Sequence, residues 1–269
     1  MAACLISAGH RVLWCRHGRS AATAARAEAA GAVSVASMEE LVEACDHAIS
    51  VCPPGSALEV AQAVAARGYG GIYLDANAIA PSTSRAVAAA LQGAGATAAD
   101  GGIVGPPAWA QGTTRLFVSG ESADRVVAAF DGSPMQVISI AGGIGAASAV
   151  KVAYATWTKA VGAALLAVRA FAEAEGVTEP LLAEWRRSQP GTVERSELTA
   201  AAVGPKAWRF GDELRQLGLA MDDVGLPGGF QVAAGTIYDR LAPLKDAESV
   251  DIDQVIALLD GRDEVDGAE

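Results

Sequence analysis

The sequence predicts an α/β protein in which a doubly wound parallel sheet is followed by an all-helical domain. Three observations carry this prediction. Short apolar runs alternate with helical segments from residue 11 to residue 140, strand signals stop after Gly142, and the remainder is helical in pattern. Strands that alternate with helices are typical of βαβ units and a parallel sheet. We therefore expect one domain at residues 1–141 and a second at residues 142–269.

The strands and helices of the first domain follow from local signals. Gly9 is expected to end the first helix, Ser37 with Glu40 forms a capping box, and Pro81 suits an early helical position. Strands are expected at 11–15, 32–35, 47–52, 71–75, 96–101, 114–119 and 135–140. Helices are expected at 1–8, 20–30, 37–45, 56–67, 81–91 and 123–130.

The second domain begins with Gly142–Gly176, which reads as one long buried helix because apolar or small residues occupy nearly every face. Lys151 lies in its first half, where a lysine either reaches solvent along its methylene stem or serves a site. Further helices are expected at 180–188, 193–202, 207–224, 229–241 and 250–259. The charged tail at 261–269 is expected to fray.

Composition narrows the classes of function. The net charge of -11 argues against a nucleic-acid binder, whose footprint would be basic. Charged residues interrupt the longest apolar run and no secretory signal is evident, so we expect no membrane partner. The 4 cysteines show no metal-ligand spacing. Reduced thiols, a cytoplasmic location and no metal site are the expectation.

The first residues carry a specific motif. Met1–Val12 reads MAACLISAGHRV, and a helical lysine follows the glycines Gly142 and Gly145. This arrangement resembles the β-hydroxyacid dehydrogenase superfamily, which includes 3-hydroxyisobutyrate dehydrogenase, 6-phosphogluconate dehydrogenase and imine reductases. Within it, the chain resembles a bacterial group with a 6-phosphogluconate dehydrogenase-like NAD(P)-binding domain and a C-terminal domain of its own type. The family pattern M-A-x-x-L-x-x-A-G-H-x-V follows the glycine turn of a Rossmann-like sheet.

The resemblance implies that this sheet lacks its first strand. The strand and its glycine-rich turn would precede Met1, because the chain begins inside the helix that receives the pyrophosphate. We expect either a start that was assigned late or a real loss. A real loss would leave a truncated nucleotide-binding or structural protein with impaired catalysis.

The resemblance also assigns cofactor contacts. No acidic residue follows the second strand of the family, whereas Arg16 and Arg19 do, which favours NADP over NAD. The alternative is that both arginines are solvated surface residues. The ends of the next two strands match Ser50–Gly55 and Leu74–Thr83. The residues expected to line the ribose and nicotinamide there are Val51, Cys52, Pro53 and Asn77.

The substrate loop of the family resembles Asp100–Gly120, but with departures from D-x-P-V-S-G-G. Val104 replaces the serine and Pro106 the last glycine, while Gly105 is retained. The hydroxyl that would hold a substrate carboxylate is therefore absent. A simple 3-hydroxy acid is not the expected substrate.

By the same resemblance, Lys151 takes the position of the catalytic lysine and Tyr154 that of an asparagine. Positions i and i+3 share a helix face. An ammonium shielded by apolar neighbours is destabilised and can exchange a proton near neutral pH. Tyr154 would donate a hydrogen bond to the same substrate oxygen; the alternative is a core tyrosine with a satisfied hydroxyl.

A later family motif, K-D-L-x-L-A…G-x-P, resembles Asp212–Pro227, where Asp212 replaces the lysine and Glu213 the aspartate. Glu213 and the nearby Trp208 are the expected substrate contacts. Trp157 is expected to pack in the interior and Lys159 to lie at the surface.

Three readings result. The first is an NADP-dependent oxidoreductase acting on a small hydroxyl, carbonyl or imine substrate. The second is the impaired binding protein described above. The third is an assembly role for the helical domain, through which members of the family form homodimers.

Overall fold

The computed structural model describes residues 1–260, so the charged tail at 261–269 lies outside the described residues. The chain divides into two compact units, Met1–Val152 and a second that begins at Ala153. The division falls later in the chain than the boundary expected after residue 141, which stays a prediction. Each unit is described by itself below.

The first unit holds every strand of the described chain. These strands form a two-stranded sheet, β1–β2, and a five-stranded sheet in the order β3-β4-β5-β6-β7. The bounds are β1 Leu13–Cys15, β2 Val33–Val35, β3 His47–Ser50, β4 Ile72–Asp75, β5 Thr97–Val104, β6 Arg115–Ser119 and β7 Gln136–Ser139. Among the described residues no strand pairs with both β1 and β3.

One pair of strands departs from the expected parallel order. β5 and β6 are antiparallel, whereas the other paired strands are parallel. A parallel neighbour requires a crossover connection, usually a helix. The segment between Val104 and Arg115 contains no helix, so β6 returns alongside β5 in the opposite direction.

Helices cover both faces of the five-stranded sheet. The two core clusters show the alternation expected along a strand, because Ile72 and Leu74 of β4 pack in one cluster and Tyr73 in the other. The helices of this unit are α1 Ala2–Ser7, α2 Ala21–Ala29, α3 Met38–Glu43, α4 Ala57–Ala65, α5 Pro81–Gln92 and α6 Ala123–Ala129. Gly9 ends α1 with a φ of +89°, the left-handed conformation that glycine adopts without strain.

The expected single helix from Gly142 to Gly176 is interrupted. It consists of α7 Ala146–Ala155, a π-helical turn Thr156–Ala160 and α8 Val161–Ala174. The Tyr238 hydroxyl donates a 2.8 Å hydrogen bond to the carbonyl of Lys159. An outside side chain inserted into the helical ladder is a recognised cause of such a local widening.

The rest of the second unit is helical, as expected. Its helices are α9 Thr178–Ser188, α10 Thr192–Val203, α11 Phe210–Asp222, α12 Gly229–Arg240 and α13 Ile252–Leu259. A 3₁₀ segment, Gly204–Arg209, precedes α11, so the helix expected at 207–224 begins later than predicted. In the described part of the chain, no helix is both long and apolar enough to cross a membrane.

Candidate functional site

The carboxyl ends of β3 and β4, together with the adjoining part of β5, form the candidate site. In the sheet register, Ser50 of β3 lies beside Asp75 of β4, which lies beside Asp100 of β5. Two residues further along each chain segment come Cys52, Asn77 and Gly102. Open α/β sheets bind ligands at this edge.

Asn77 holds the ends of β3 and β4 together. Its side-chain oxygen accepts a 2.6 Å hydrogen bond from the backbone N–H of Cys52, and its amide nitrogen donates to Ser50 and Asp75, each at 3.0 Å. Asn77 is 3% exposed. Its side chain therefore orders the loop at Cys52, while Val51 and Pro53 beside it are exposed.

Burial shifts two titrating groups at this edge. Burial raises the pKa of Asp75 to about 6, against the opposing effect of hydrogen bonds from Asn77. Burial likewise raises the pKa of the Cys52 thiol. All four cysteines are free thiols.

Asp100 anchors the start of α7 on the sheet. The carboxylate is 1% exposed and accepts five hydrogen bonds, from the backbone N–H groups of Gly145 and Ser148 and from the hydroxyls of Ser84, Ser119 and Ser148. Helix starts leave backbone N–H groups without intrahelical acceptors. The carboxylate supplies acceptors for two of them.

Gly102 brings Lys151 close to the same edge. A β-carbon added to Gly102 would lie 2.6 Å from the carbonyl oxygen of Ala147 and 3.1 Å from Cβ of Lys151. Only a residue without a side chain allows this approach of α7 to β5. The β-carbon of Lys151 therefore lies next to Gly102, two residues after Asp100.

The predicted substrate loop begins directly after β5. The Val104 side chain is 3% exposed and belongs to the interior of the sheet. Gly105 has a φ of +114°. The loop beyond is fixed by a hydrogen bond from the Thr114 hydroxyl to the Pro106 carbonyl, and it carries Trp109 with 80% of its surface exposed.

The predicted nucleotide residues near β1 are exposed. Arg16 and Arg19 follow β1, and both side chains reach solvent. A cavity of about 660 Å³, which we name the β1–β3 cleft, lies between the two sheets of this unit. Its lining includes Leu5, Leu13, Trp14, Leu41, His47, Ile49, Val126 and Phe130.

Two polar side-chain atoms in the β1–β3 cleft are not hydrogen-bonded within the described residues. Within the described residues, Trp14 Nε1 and His47 Nε2 are buried without a hydrogen-bond partner. Burial lowers the pKa of His47, because the charged imidazolium loses its hydration. The cleft therefore contains two buried polar atoms that lack hydrogen-bond partners among the described residues.

Tyr154, Trp208 and Glu213 belong to the second unit. Tyr154 is 45% exposed, so it is not the core tyrosine of the alternative reading. Trp208 is 46% exposed, with the Lys245 amine 4.4 Å from its ring centroid. Glu213 is buried and ion-paired with Lys159.

Two expectations for the helical unit are wrong. Lys159 does not lie at the surface: its side chain is 18% exposed, pairs with Glu213 and stacks over Phe210. Trp157 is not an interior residue, since 63% of its surface is exposed. The π-helical turn changes the face on which each residue lies, and no sequence signal indicated that turn.

The sequence motifs did not identify Asp75, Asp100 or Gly102 as structural centres of the site. A signal was available for the aspartates, because each ends or interrupts an apolar strand pattern. An aspartate inside a buried strand needs partners. The identity of those partners, such as Ser119 and Ser148, required the tertiary structure.

Comparisons with known proteins agree with this architecture. Residues 1–132 match the NAD binding domain of 6-phosphogluconate dehydrogenase, and residues 172–241 match a domain of unknown function, DUF1932. No curated protein matches the chain.

Solved structures resemble nearly the whole chain. A conserved protein of unknown function, described as similar to 3-hydroxyacid dehydrogenases, is 25% identical, with a TM-score of 0.65 over 90% of this chain and 92% of that one. The 3-hydroxyisobutyrate dehydrogenase of Mycobacterium tuberculosis, with L-serine, is 22% identical, with a TM-score of 0.65 over 96% and 94%. Psf3, in complex with NADP+ and 2-OPP, is 19% identical, with a TM-score of 0.58 over 96% and 95%.

Proposed function

Because the chain belongs to the β-hydroxyacid dehydrogenase superfamily, a family of NAD(P)-binding dehydrogenases and reductases, we propose that it is an NADP-dependent oxidoreductase with Lys151 as general acid and base. Its substrate is a small molecule with a hydroxyl, carbonyl or imine group. The observation that carries the proposal is the close approach of Lys151 to Gly102, which follows Asp100 by two residues as Asn77 follows its register partner Asp75.

The residues at this edge fit NADP. Arg16 and Arg19 are exposed after β1, with no acidic residue between them, which suits a 2′-phosphate. The ordered loop at Cys52, with exposed Val51 and Pro53, suits the ribose and nicotinamide. When bound, NADP supplies the hydride donor or acceptor.

Lys151 and Tyr154 are the residues that we assign to proton transfer and to hydrogen bonding of the substrate oxygen. The Lys151 amine takes the proton of the substrate hydroxyl during oxidation and returns it during reduction. Tyr154, three residues further along α7, donates a hydrogen bond to the same oxygen. Positions i and i+3 share a helix face, so both groups serve one atom.

The substrate contacts favour a substrate without a carboxylate. Val104 offers no hydroxyl and is buried, so it supplies no side-chain hydrogen bond to a substrate carboxylate. Glu213 is paired with Lys159, and Trp208 contributes an exposed ring. We therefore rank aldehydes, ketones and cyclic imines above simple 3-hydroxy acids.

The helical unit supports a homodimer. Large apolar side chains remain exposed on it, including Val168, Phe171, Val224, Leu226, Phe230 and Val232. We propose that these side chains supply the contact surface, since contiguous exposed apolar surface is typical of protein–protein interaction sites. Light scattering tests the dimer, and Phe171→Glu, on α8, is expected to give a monomer.

The test of the activity is NADPH-dependent turnover across hydroxy acids, aldehydes, ketones and cyclic imines. Lys151→Ala is expected to lower turnover about 100- to 10,000-fold, the usual worth of a general acid–base group, with NADPH affinity unchanged. Turnover that survives the substitution would remove Lys151 from the mechanism. Arg187→Ala is the control, because it removes an exposed cation on α9 that has no proposed role in the site.

The β1–β3 cleft favours a second function, a nucleotide-binding protein with weak or no catalysis. No glycine-rich turn lies between β1 and β3 in the described residues, although such a turn normally holds the pyrophosphate. Titration of NADPH fluorescence combined with the turnover assay separates the two functions. Binding of NADPH by the wild-type chain without turnover on any substrate of the panel would support the second.

A further inference from the structure

We infer that Asp100 and Gly102 position Lys151 by fixing α7 on β5, an inference that rests on the proposed role of Lys151. Alternate residues of a strand face the same side of the sheet. Asp100 and Gly102 are such a pair on β5, and both contact α7. The strand therefore holds the helix at two points, one at its start and one a turn later.

The first point is the Asp100 carboxylate. Oδ2 accepts from the backbone N–H groups of Gly145 at 2.9 Å and Ser148 at 3.0 Å, and from the Ser119 hydroxyl at 3.1 Å. Oδ1 accepts from the hydroxyls of Ser84 at 2.9 Å and Ser148 at 2.5 Å. A carboxylate at a helix start also complements the helix dipole.

A second strand, β6, also binds the start of α7. The Ser119 hydroxyl of β6 accepts a 3.0 Å hydrogen bond from the backbone N–H of Ala147, while donating to Asp100. Three N–H groups in the first turn of α7 are therefore bound by side chains of the sheet. These bonds fix the position of the start of α7 relative to β5.

The second place where β5 contacts α7 is Gly102. A β-carbon there would lie 2.6 Å from the Ala147 carbonyl oxygen and 3.1 Å from Cβ of Lys151. The nearer atom is backbone, so a rotamer change cannot relieve the clash. Either α7 or β5 must move, and movement of α7 carries Lys151 with it.

Such movement has a chemical consequence. A general base acts within about 2.6–3.2 Å of the proton that it takes, and a displacement of about 1 Å can cost about 100-fold in rate. Asp100 and Gly102 touch no reacting atom in this scheme. They are positioning residues, and their substitution is expected to lower kcat more than it changes KM.

The chain provides a matched control for Gly102. Gly101 is adjacent on β5 but faces the opposite side, where an added β-carbon would lie 2.9 Å from the Asp75 carbonyl oxygen and 3.0 Å from Leu74 Cδ1. Gly101→Ala therefore crowds the sheet without touching α7. We expect Gly102→Ala to lower kcat about 100-fold, and Gly101→Ala to leave it within about threefold at a comparable loss of stability.

Asp100 is tested by two substitutions. In Asp100→Asn, the amide oxygen can still accept from Gly145 and Ser148 while its NH2 donates to the serine hydroxyls. Asp100→Ala provides neither. We expect Asp100→Asn to keep kcat within about tenfold and Asp100→Ala to lower it about 100-fold.

A readout without turnover separates this inference from the proposed function. The chain has only 4 lysines, so reductive methylation with ¹³C gives few NMR signals, and Lys151→Arg assigns the one from Lys151. We expect this signal to shift in Gly102→Ala and Asp100→Ala but not in Gly101→Ala. Amide exchange at Gly145 and Ser148 is expected to accelerate in Asp100→Ala.

The outcomes are distinct. Wild-type protein without turnover would overturn the proposed function, while the Lys151 signal would still decide the positioning. An unchanged Lys151 signal in Gly102→Ala would overturn the inference even if turnover fell. Equal shifts in Gly101→Ala and Gly102→Ala would also overturn it, since the effect would then be general crowding.

Discussion

Two regions of the first unit differ sharply in how their polar groups are satisfied. Around Asp100, a buried carboxylate receives five hydrogen bonds that join α5, α7, β5 and β6. In the β1–β3 cleft, Trp14 Nε1 and His47 Nε2 are buried without partners among the described residues. Both regions flank the same sheet.

This difference indicates which part of the first unit is the more rigid. Buried polar groups in folded proteins are normally hydrogen-bonded, and a fully satisfied network rigidifies its surroundings. The Asp100 network is satisfied and lies beneath the start of α7. The cleft lacks that support, so the proposed acid–base half of the site is rigid and the nucleotide half is the weaker one.

The largest expected effect comes from breaking the ordered region. Asp100→Ala would leave the N–H groups of Gly145 and Ser148 buried without an acceptor. We expect the free energy of unfolding to fall by about 3–5 kcal/mol, because each buried unsatisfied group costs about 1–3 kcal/mol. Urea denaturation monitored by circular dichroism measures the change.

The control for this prediction lies in the cleft. His47→Ala removes a buried group that already lacks a partner at Nε2, so its cost should be about 1 kcal/mol or less. Similar losses for His47→Ala and Asp100→Ala would show that the two regions do not differ in the way inferred.

A second prediction compares Asp75 with Asp100, which lie side by side in the register. Asp75 accepts two hydrogen bonds from Asn77, and its pKa rises from 3.8 to about 6. A raised folded-state pKa means that the folded protein holds the proton more tightly. The resulting stability is complete below pH 3.8 and is lost as the pH rises through about 6.

Asp75→Asn provides the reference for this pH effect, because its amide does not titrate. Relative to that variant, the unfolding free energy of the wild type should fall by roughly 3 kcal/mol between about pH 4 and pH 7. Urea midpoints at several pH values give the difference. Parallel stability curves for the two proteins would contradict the assignment to Asp75.

A smaller effect is expected from adding a strand to the β1–β3 cleft. We predict that an added N-terminal strand of apolar residues, followed by G-x-G-x-x-G, raises NADPH affinity at least about tenfold by supplying pyrophosphate donors. The same extension with prolines in its strand is the control, because proline cannot donate to a ladder. Equal affinities for the two would mean that the β1–β3 cleft does not accept a strand.

Much of the architecture could be predicted because it depends on local patterns. Short apolar runs between helical segments located every strand of the described residues, including β4, and Gly9 ended α1 as expected. The antiparallel β5–β6 pair was missed because the prediction considered element order and not the missing crossover helix. The π-helical turn at Thr156–Ala160 was missed because no local pattern indicated it, and the Tyr238 hydroxyl that binds the Lys159 carbonyl there is distant in sequence.

The candidate site divides in the same way. Family-like motifs indicated Lys151, Asn77 and Arg16 by their place along the chain. They did not reveal that Asn77 uses its side chain to order the loop at Cys52, or that Glu213 pairs with Lys159. Such pairings join residues far apart in sequence, and a linear pattern carries no information on them.

The sequence by itself determined the succession of elements and the position of a single lysine near the start of a helix, because both follow from periodicity and spacing. Only the tertiary structure decided where that lysine lies. The decisive contacts are the five hydrogen bonds of Asp100 and the close approach at Gly102. A buried carboxylate requires donors that only folding brings together. The steric need for glycine at position 102 is evident only when the backbone of α7 packs against it.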